Sequence, residues 1–121
     1  MIARRLLDDA DAIALHGDLH HGNVLDFGER GPLAIDPKFL VGNRVFDYTN
    51  ILCNPSPGLA EAHFDRRVGL ISEVAGIQPQ SLLEWTVAWT GLSASWHAAD
   101  GNTVDEENAL RIGALAEQRL D

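Results

Sequence analysis

Of cysteine and of lysine this sequence has one each, Cys53 and Lys38. A lone cysteine excludes an intramolecular disulfide and any cysteine-rich zinc site. It suits a reducing compartment, so a cytoplasmic location is expected. Basic residues are scarce overall: nine Lys and Arg stand against 18 Asp and Glu, a net charge of −9. Such a chain repels nucleic-acid backbones, so no nucleic-acid partner is expected, whereas a small cationic ligand would be drawn to it. Plain solubility accounts for the charge equally well. Long apolar runs are missing too. The opening Met-Ile-Ala-Arg-Arg soon reaches Asp8, Asp9 and Asp11, so neither a signal peptide nor a membrane partner is expected.

What is present is the composition of an ordinary globular domain, 45% hydrophobic and 22% charged over 121 residues. Residues 2–8 read as the end of a helix. Val24–Phe27 and Leu33–Ile35 are short apolar runs separated by Gly28-Glu29-Arg30-Gly31-Pro32, which is the chemistry of a turn, and together they predict a β-hairpin. A short helix is expected over 44–53, broken by Asn54-Pro55-Ser56-Pro57-Gly58. Beyond it the spacing is helical. Phe64, Val68, Ile71 and Ala75 form one stripe, and Leu82, Trp85, Trp89, Leu92 and Trp96 another. Gly76 predicts a helix stop and Pro79 a start. Thr103 with Glu106 has capping-box spacing, opening a last helix through Ala109, Ile112, Leu115 and Ala116. The fold class expected is mainly α with a small β-hairpin.

Residues bearing chemistry crowd into positions 16–47. In His16-Gly17-Asp18-Leu19-His20-His21-Gly22-Asn23, an aspartate and an asparagine stand five positions apart. A kinase catalytic loop uses such an aspartate to orient the attacking hydroxyl and accept its proton. The asparagine oxygen suits magnesium, which prefers hard oxygen ligands. The hairpin follows, then Ile35-Asp36-Pro37, whose aspartate would supply a second metal ligand. Alone, the Asp18–Asn23 spacing carries little weight; joined to the hairpin and Ile35-Asp36-Pro37 it is specific.

The composite His-Gly-Asp-Leu-His-x-Gly-Asn-Val-Leu, turn, Ile-Asp-Pro-Lys resembles the signature of the aminoglycoside phosphotransferase-like kinases. Phe39–Asn43, Val45–Asn50 and Gly91–Trp96 resemble the streptomycin phosphotransferase branch, the aminoglycoside/hydroxyurea resistance kinases. The likeness covers nearly the whole chain and is most specific over 15–54. It implies a single partial unit over 1–121, the C-terminal lobe of a protein-kinase-like fold with its N-terminal lobe absent. Catalytic loop and metal-binding hairpin would occupy 13–38 and the helical remainder 44–120. The resemblance implies Asp18 as catalytic aspartate, Asn23 and Asp36 as ligands of Mg2+, ATP as co-substrate, and a cationic aminoglycoside as acceptor. Asp47 matches an aspartate that steadies the catalytic loop, and His16 is expected to support the same loop. Trp96 and Asp100 fall where the acceptor pocket is expected. Asn43 stands where the family often carries an acidic residue.

Other readings accompany these. Asp18 reads also as a turn residue, Asn23 and Asp36 as hairpin caps, and Asp47 as a helix N-terminal aspartate. The tryptophan stripe reads as helix core, and His20, His21 and Lys38 as ordinary loop and surface residues. His16, Asp18 and His20, with His21 and Asp36, compose an alternative metal-dependent hydrolase cluster. The missing lobe yields another alternative: a non-catalytic truncated remnant, or a half that needs a complementing lobe. Apolar surface left by that lobe would then favour self-association.

Overall fold

The computed structural model describes residues 13–38 and 40–120; the helix end expected over 2–8 lies outside them. Within the described residues, two small antiparallel sheets precede five helices. Strand β1 (Ile13–Leu15) pairs with β4 (Leu40–Gly42), Ala14 lying opposite Val41. Strand β2 (Val24–Asp26) pairs with β3 (Pro32–Ala34), Leu25 lying opposite Leu33. The expected hairpin is therefore present, with its second strand beginning one residue early, at Pro32. A strand's first residue tolerates a missing N–H, so proline can sit there. The Asp26 carboxylate accepts the Gly28 N–H at 2.8 Å and tightens the turn. The β1–β4 pair was not expected. Three-residue strands carry too little alternation to be read from sequence.

Helices α1 (Val45–Leu52), α2 (Pro57–Ala62), α3 (Phe64–Ala75), α4 (Pro79–Ala99) and α5 (Thr103–Gln118) follow. The expected break at 54–58 is only partly a break, because α2 starts inside it. The Ser56 hydroxyl accepts the Leu59 N–H at 3.4 Å, and Pro57 occupies the first helical turn, where no N–H is required. Helix α3 ends as expected, Gly76 turning left-handed at φ 66. The Arg44 guanidinium closes that end, donating to the carbonyls of Ala75 (2.6 Å) and Gly76 (3.1 Å). The cap of α5 is one residue earlier than expected. Asn102, not Thr103, accepts the Asp105 N–H, at 3.2 Å, and its amide donates to the Asp105 carboxylate at 2.6 Å.

Helix α4 is the centre of the bundle, packing on α5, α1 and α3. Leu52, Phe64 and Leu82 are fully buried, each stabilising the fold by roughly 1.5–3 kcal/mol. The stripe expected to form the core of α4 is only partly inside. Leu82 is buried and Trp85 packs beside the core, but Leu92 and Trp96 are 44% and 56% exposed. The inner face of α4 is instead Leu82, Leu83, Thr86, Thr90, Ser93 and Ala94. The threonines bury cheaply, because Thr86 donates to the Leu82 carbonyl (2.7 Å) and Thr90 to that of Thr86 (2.8 Å). These small side chains let α5 approach closely. A methyl group added at Gly113 would stand 2.5 Å from the Thr90 hydroxyl. Among the described residues no helix is long and apolar enough to cross a membrane.

Candidate active site

The short β1 strand delivers the chain into a loop that is tied down at several points. The two carboxylate oxygens of Asp47, in the first turn of α1, accept the backbone N–H groups of His16 and Gly17, each at 2.8 Å. Gly17 adopts φ +86, and a Cβ there would stand 2.9 Å from a Leu40 methyl and 3.0 Å from Lys38 Cβ. Only glycine meets both demands, left-handed backbone and close approach. The Lys38 N–H bonds the His16 carbonyl at 2.6 Å. His16 closes the same ring through its side chain. Its Nε2 lies 2.5 Å from the Ile35 carbonyl, and its Nδ1 accepts the Asp18 N–H at 3.1 Å. A carbonyl on one side and an N–H on the other select the tautomer protonated on Nε2.

Asp18 stands at the middle of this frame, about one-third exposed. The Asn23 amide nitrogen donates to the Asp18 carbonyl (2.9 Å) and to carboxylate oxygen Oδ2 (3.3 Å). The Asn50 amide approaches the other oxygen, Oδ1, at 3.4 Å. His20 Nε2 is 3.8 Å from Oδ2, while His20 Nδ1 accepts the Gly22 N–H at 3.0 Å. Partial burial first, then the charges of Arg67 and His20, hold the His21 imidazole below its ordinary value.

Asn23 and Asp36 are brought together through the backbone: the Ile35 N–H donates to the Asn23 carbonyl at 2.7 Å, placing Asp36 one residue beyond that bond. Asp36 is exposed, with φ 55, a conformation that aspartate tolerates better than most residues. Asn23 is buried, its amide nitrogen committed to Asp18 and its side-chain oxygen left as acceptor. An amide oxygen and a carboxylate are donors that fit a hard divalent cation. The hydrolase cluster fits less well. Both ring nitrogens of His16 are used by the backbone, and so is Nδ1 of His20. Among the described residues no three His, Cys, Asp or Glu side chains converge as a metal site.

Two cavities flank the loop. One, about 280 Å³, is walled by Asn50, Asn54, Trp89, His97, Asp105 and Arg111, among others. The second, about 320 Å³, lies over Leu19, His20, His21, Val24 and Ile51. Trp96 and Asp100 are exposed and line neither. Positions 89, 93 and 97 of α4 line the first cavity. Asn50 was not singled out from the sequence. Its signal was its place in the Val45–Asn50 run, three residues after the loop-supporting Asp47 on the same helix.

The fold and loop thus define a mainly helical unit with an anchored aspartate. The family model for aminoglycoside/hydroxyurea antibiotic resistance kinases matches residues 1–101, and the chain belongs to that family. It is 45% identical over 130 residues to the streptomycin 3''-kinase of Klebsiella pneumoniae, a match covering 99% of this chain and 49% of the relative. A hydroxyurea phosphotransferase of Kitasatospora aureofaciens is 36% identical, over 93% of this chain and 35% of that protein. A streptomycin 6-kinase of Streptomyces glaucescens is 34% identical, over 90% of this chain and 41% of that protein. The chain therefore spans half the length or less of these curated relatives. No solved structure matches it.

Proposed function

We propose that this chain carries the catalytic loop of an ATP-dependent phosphotransferase, within the helical lobe of a kinase-like fold, and that the acceptor is an alcohol group of a small cationic antibiotic such as streptomycin. The observation that carries this reading is the Asp18 carboxylate, bracketed by Asn23 and Asn50 on a loop that Asp47 anchors. A carboxylate has about four acceptor positions, and two amides leave room for a substrate hydroxyl. Asp18 orients that hydroxyl and takes its proton as the phosphoryl group is transferred. Asn23 and Asp36 would hold Mg2+, which when bound neutralises phosphate charge. His16 and Asp47 keep the loop in place, so the chain's contribution is positioning. The cavity beside Asn50 is the candidate acceptor pocket: Asp105 gives it a carboxylate and Trp89 an aromatic wall, and the Arg111 charge on the same wall is approached by the Glu61 carboxylate at 3.8 Å. Trp89 and His97 line this cavity, whereas Trp96 and Asp100 do not. The names of two relatives, both streptomycin kinases, support the substrate class, and that of the hydroxyurea phosphotransferase supports phosphate transfer to a small molecule.

The test joins the chain to the segment that the Klebsiella relative carries outside the match, and measures phosphate transfer from ATP to streptomycin. Streptomycin-dependent ADP release is expected, falling by at least about 100-fold in Asp18→Asn. Transfer undiminished by that substitution would refute the role of Asp18.

A further inference from the structure

We propose that Asn50 is a positioning residue for Asp18, and that the Asn54 side chain decides which end of its amide faces the carboxylate. The inference rests on the reading of Asp18 given above. An asparagine amide presents a donor at one end and an acceptor at the other, with nearly the same shape. Facing Asp18 with its oxygen, Asn50 would set two acceptors against each other. Facing it with nitrogen, it donates to Oδ1, as found at 3.4 Å.

The choice between the two is made on the far side of the amide. The Asn54 side-chain nitrogen donates to the Asn50 side-chain oxygen at 2.9 Å and to the Asn50 backbone carbonyl at 2.7 Å. Both donors of Asn54 are thereby directed at Asn50, and the Asn50 oxygen is turned toward them. Its nitrogen is left pointing at Asp18. Asn54 is itself held from another helix. Arg67 on α3 donates to the Asn54 carbonyl, and to that of Ile51 at 3.1 Å, just where α1 runs out of partners for its last carbonyls. A run of side-chain hydrogen bonds therefore leads from the Asn54 amide through the Asn50 amide to the carboxylate, while Arg67 holds the backbone at Ile51 and Asn54 in place.

The geometry also says what this arrangement does for the loop. Asn23 reaches Asp18 from inside the loop and meets Oδ2, whereas Asn50 reaches it from α1 and meets Oδ1. One donor on each oxygen fixes the rotation of the carboxylate plane, which a single donor does not. Contacts of 3.3 and 3.4 Å are longer than the usual charged hydrogen bond, so they orient the group without saturating it. Asn50 also forms part of the wall of the 280 Å³ cavity, so a direct contact with the acceptor is the rival role.

Two measurements separate these roles. In the full chain, isotope-labelled NMR compares the Asn50 side-chain amide protons of the wild type with those of Asp18→Ala. Their shifts should move when the Asp18 carboxylate is removed; shifts indifferent to Asp18 would overturn the proposed contact. In the joined protein, Asn50→Ala should lower kcat roughly 10- to 100-fold with KM for streptomycin little changed. Asn50→Asp, which keeps the shape but replaces the donor with a second negative charge, should lower it at least as far. Asn54→Ala should give a smaller loss of the same kind. A raised KM at unchanged kcat would make Asn50 an acceptor contact and overturn the inference. Transfer that depends on Asp18 but ignores Asn50 overturns it while leaving the functional reading intact. Transfer that ignores Asp18 removes both.

Discussion

Asp47 holds Gly17 across 30 positions of sequence: its Oδ1 accepts the Gly17 N–H at 2.8 Å, while Oδ2 accepts the neighbouring His16 N–H at the same distance. Two successive backbone donors converge on one carboxylate, and this joins the loop after β1 to the first turn of α1. Neither N–H has a strand or helix partner to fall back on. Removing the carboxylate should therefore be felt well beyond its own volume. In Asp47→Ala, a stability loss of about 2–4 kcal/mol is expected, as two donors lose a charged acceptor. Asp47→Asn, which keeps one acceptor oxygen, should lose less. Urea unfolding followed by tryptophan fluorescence measures both. A loss under about 0.5 kcal/mol for the alanine variant would mean that water replaces the carboxylate without penalty.

The start of α5 can be located by two substitutions. Asn102→Ala should cost about 1 kcal/mol, the usual worth of an N-cap side chain. Thr103→Ala should cost a few tenths or less, since Thr103 is already inside the helix. The opposite order would restore the cap that the Thr103–Glu106 spacing suggests.

Acid should weaken one tertiary tie between α3 and the end of α5. Arg119 hydrogen-bonds both carboxylate oxygens of Asp65, one of them at 3.0 Å, and this contact holds the Asp65 carboxyl below its ordinary value. A carboxyl depressed in the folded state contributes stability above its unfolded value, and that contribution is lost as pH falls through the folded value. The window therefore opens near the ordinary aspartate value, about 3.9, and extends below it. The pair is exposed, so the effect should be small and shrink in salt. Denaturation midpoints of the wild type and Asp65→Asn, compared between pH 7 and 3, should converge at the acid end. Parallel curves would count against a contribution from the pair.

Cys53 should be unreactive in the folded protein. Burial pushes its thiol up to about 12, because no positive group compensates the desolvated thiolate. At pH 8 the thiolate would then amount to about one molecule in ten thousand. Reaction with a disulfide reagent should be slow in buffer and rapid in urea. Equal rates in the two would mean that the thiol is open to solvent and ordinary in acidity.

How much of this was legible in the sequence depends on the reach of each contact. His16, Asp18 and Asn23 lie within a few residues of one another, and glycines around them make a loop the natural reading. The hairpin was legible from its turn chemistry, the helices from their spacing, and the stop at Gly76 from its single residue. The burial of α4 was not. Large aromatic side chains suggested the inner face, yet the close approach of α5 at Gly113 favours Thr86, Thr90 and Ser93 there. Their hydroxyls are satisfied within the helix, which pattern reading scores as polar and therefore outside. The cap at Asn102 was misplaced and helix α2 missed for a related reason. Several residues in each stretch can cap or break a helix, and packing chooses among them.

The sequence by itself determined which chemical groups are available and their local order: a loop aspartate and asparagine, a second aspartate after a hairpin, and a family membership written in those motifs. Only the tertiary structure decided which groups face one another. Asn50, Asn54 and Arg67 come from the end of one helix, the connection after it and the first turn of another, and they meet only because α1 and α3 pack around a shared core. A hydrogen bond is decided by a few tenths of an ångström and by the direction of a donor. Spacing along the chain specifies such terms within a turn or a loop. Between elements, they are set by the packing that brings the elements together.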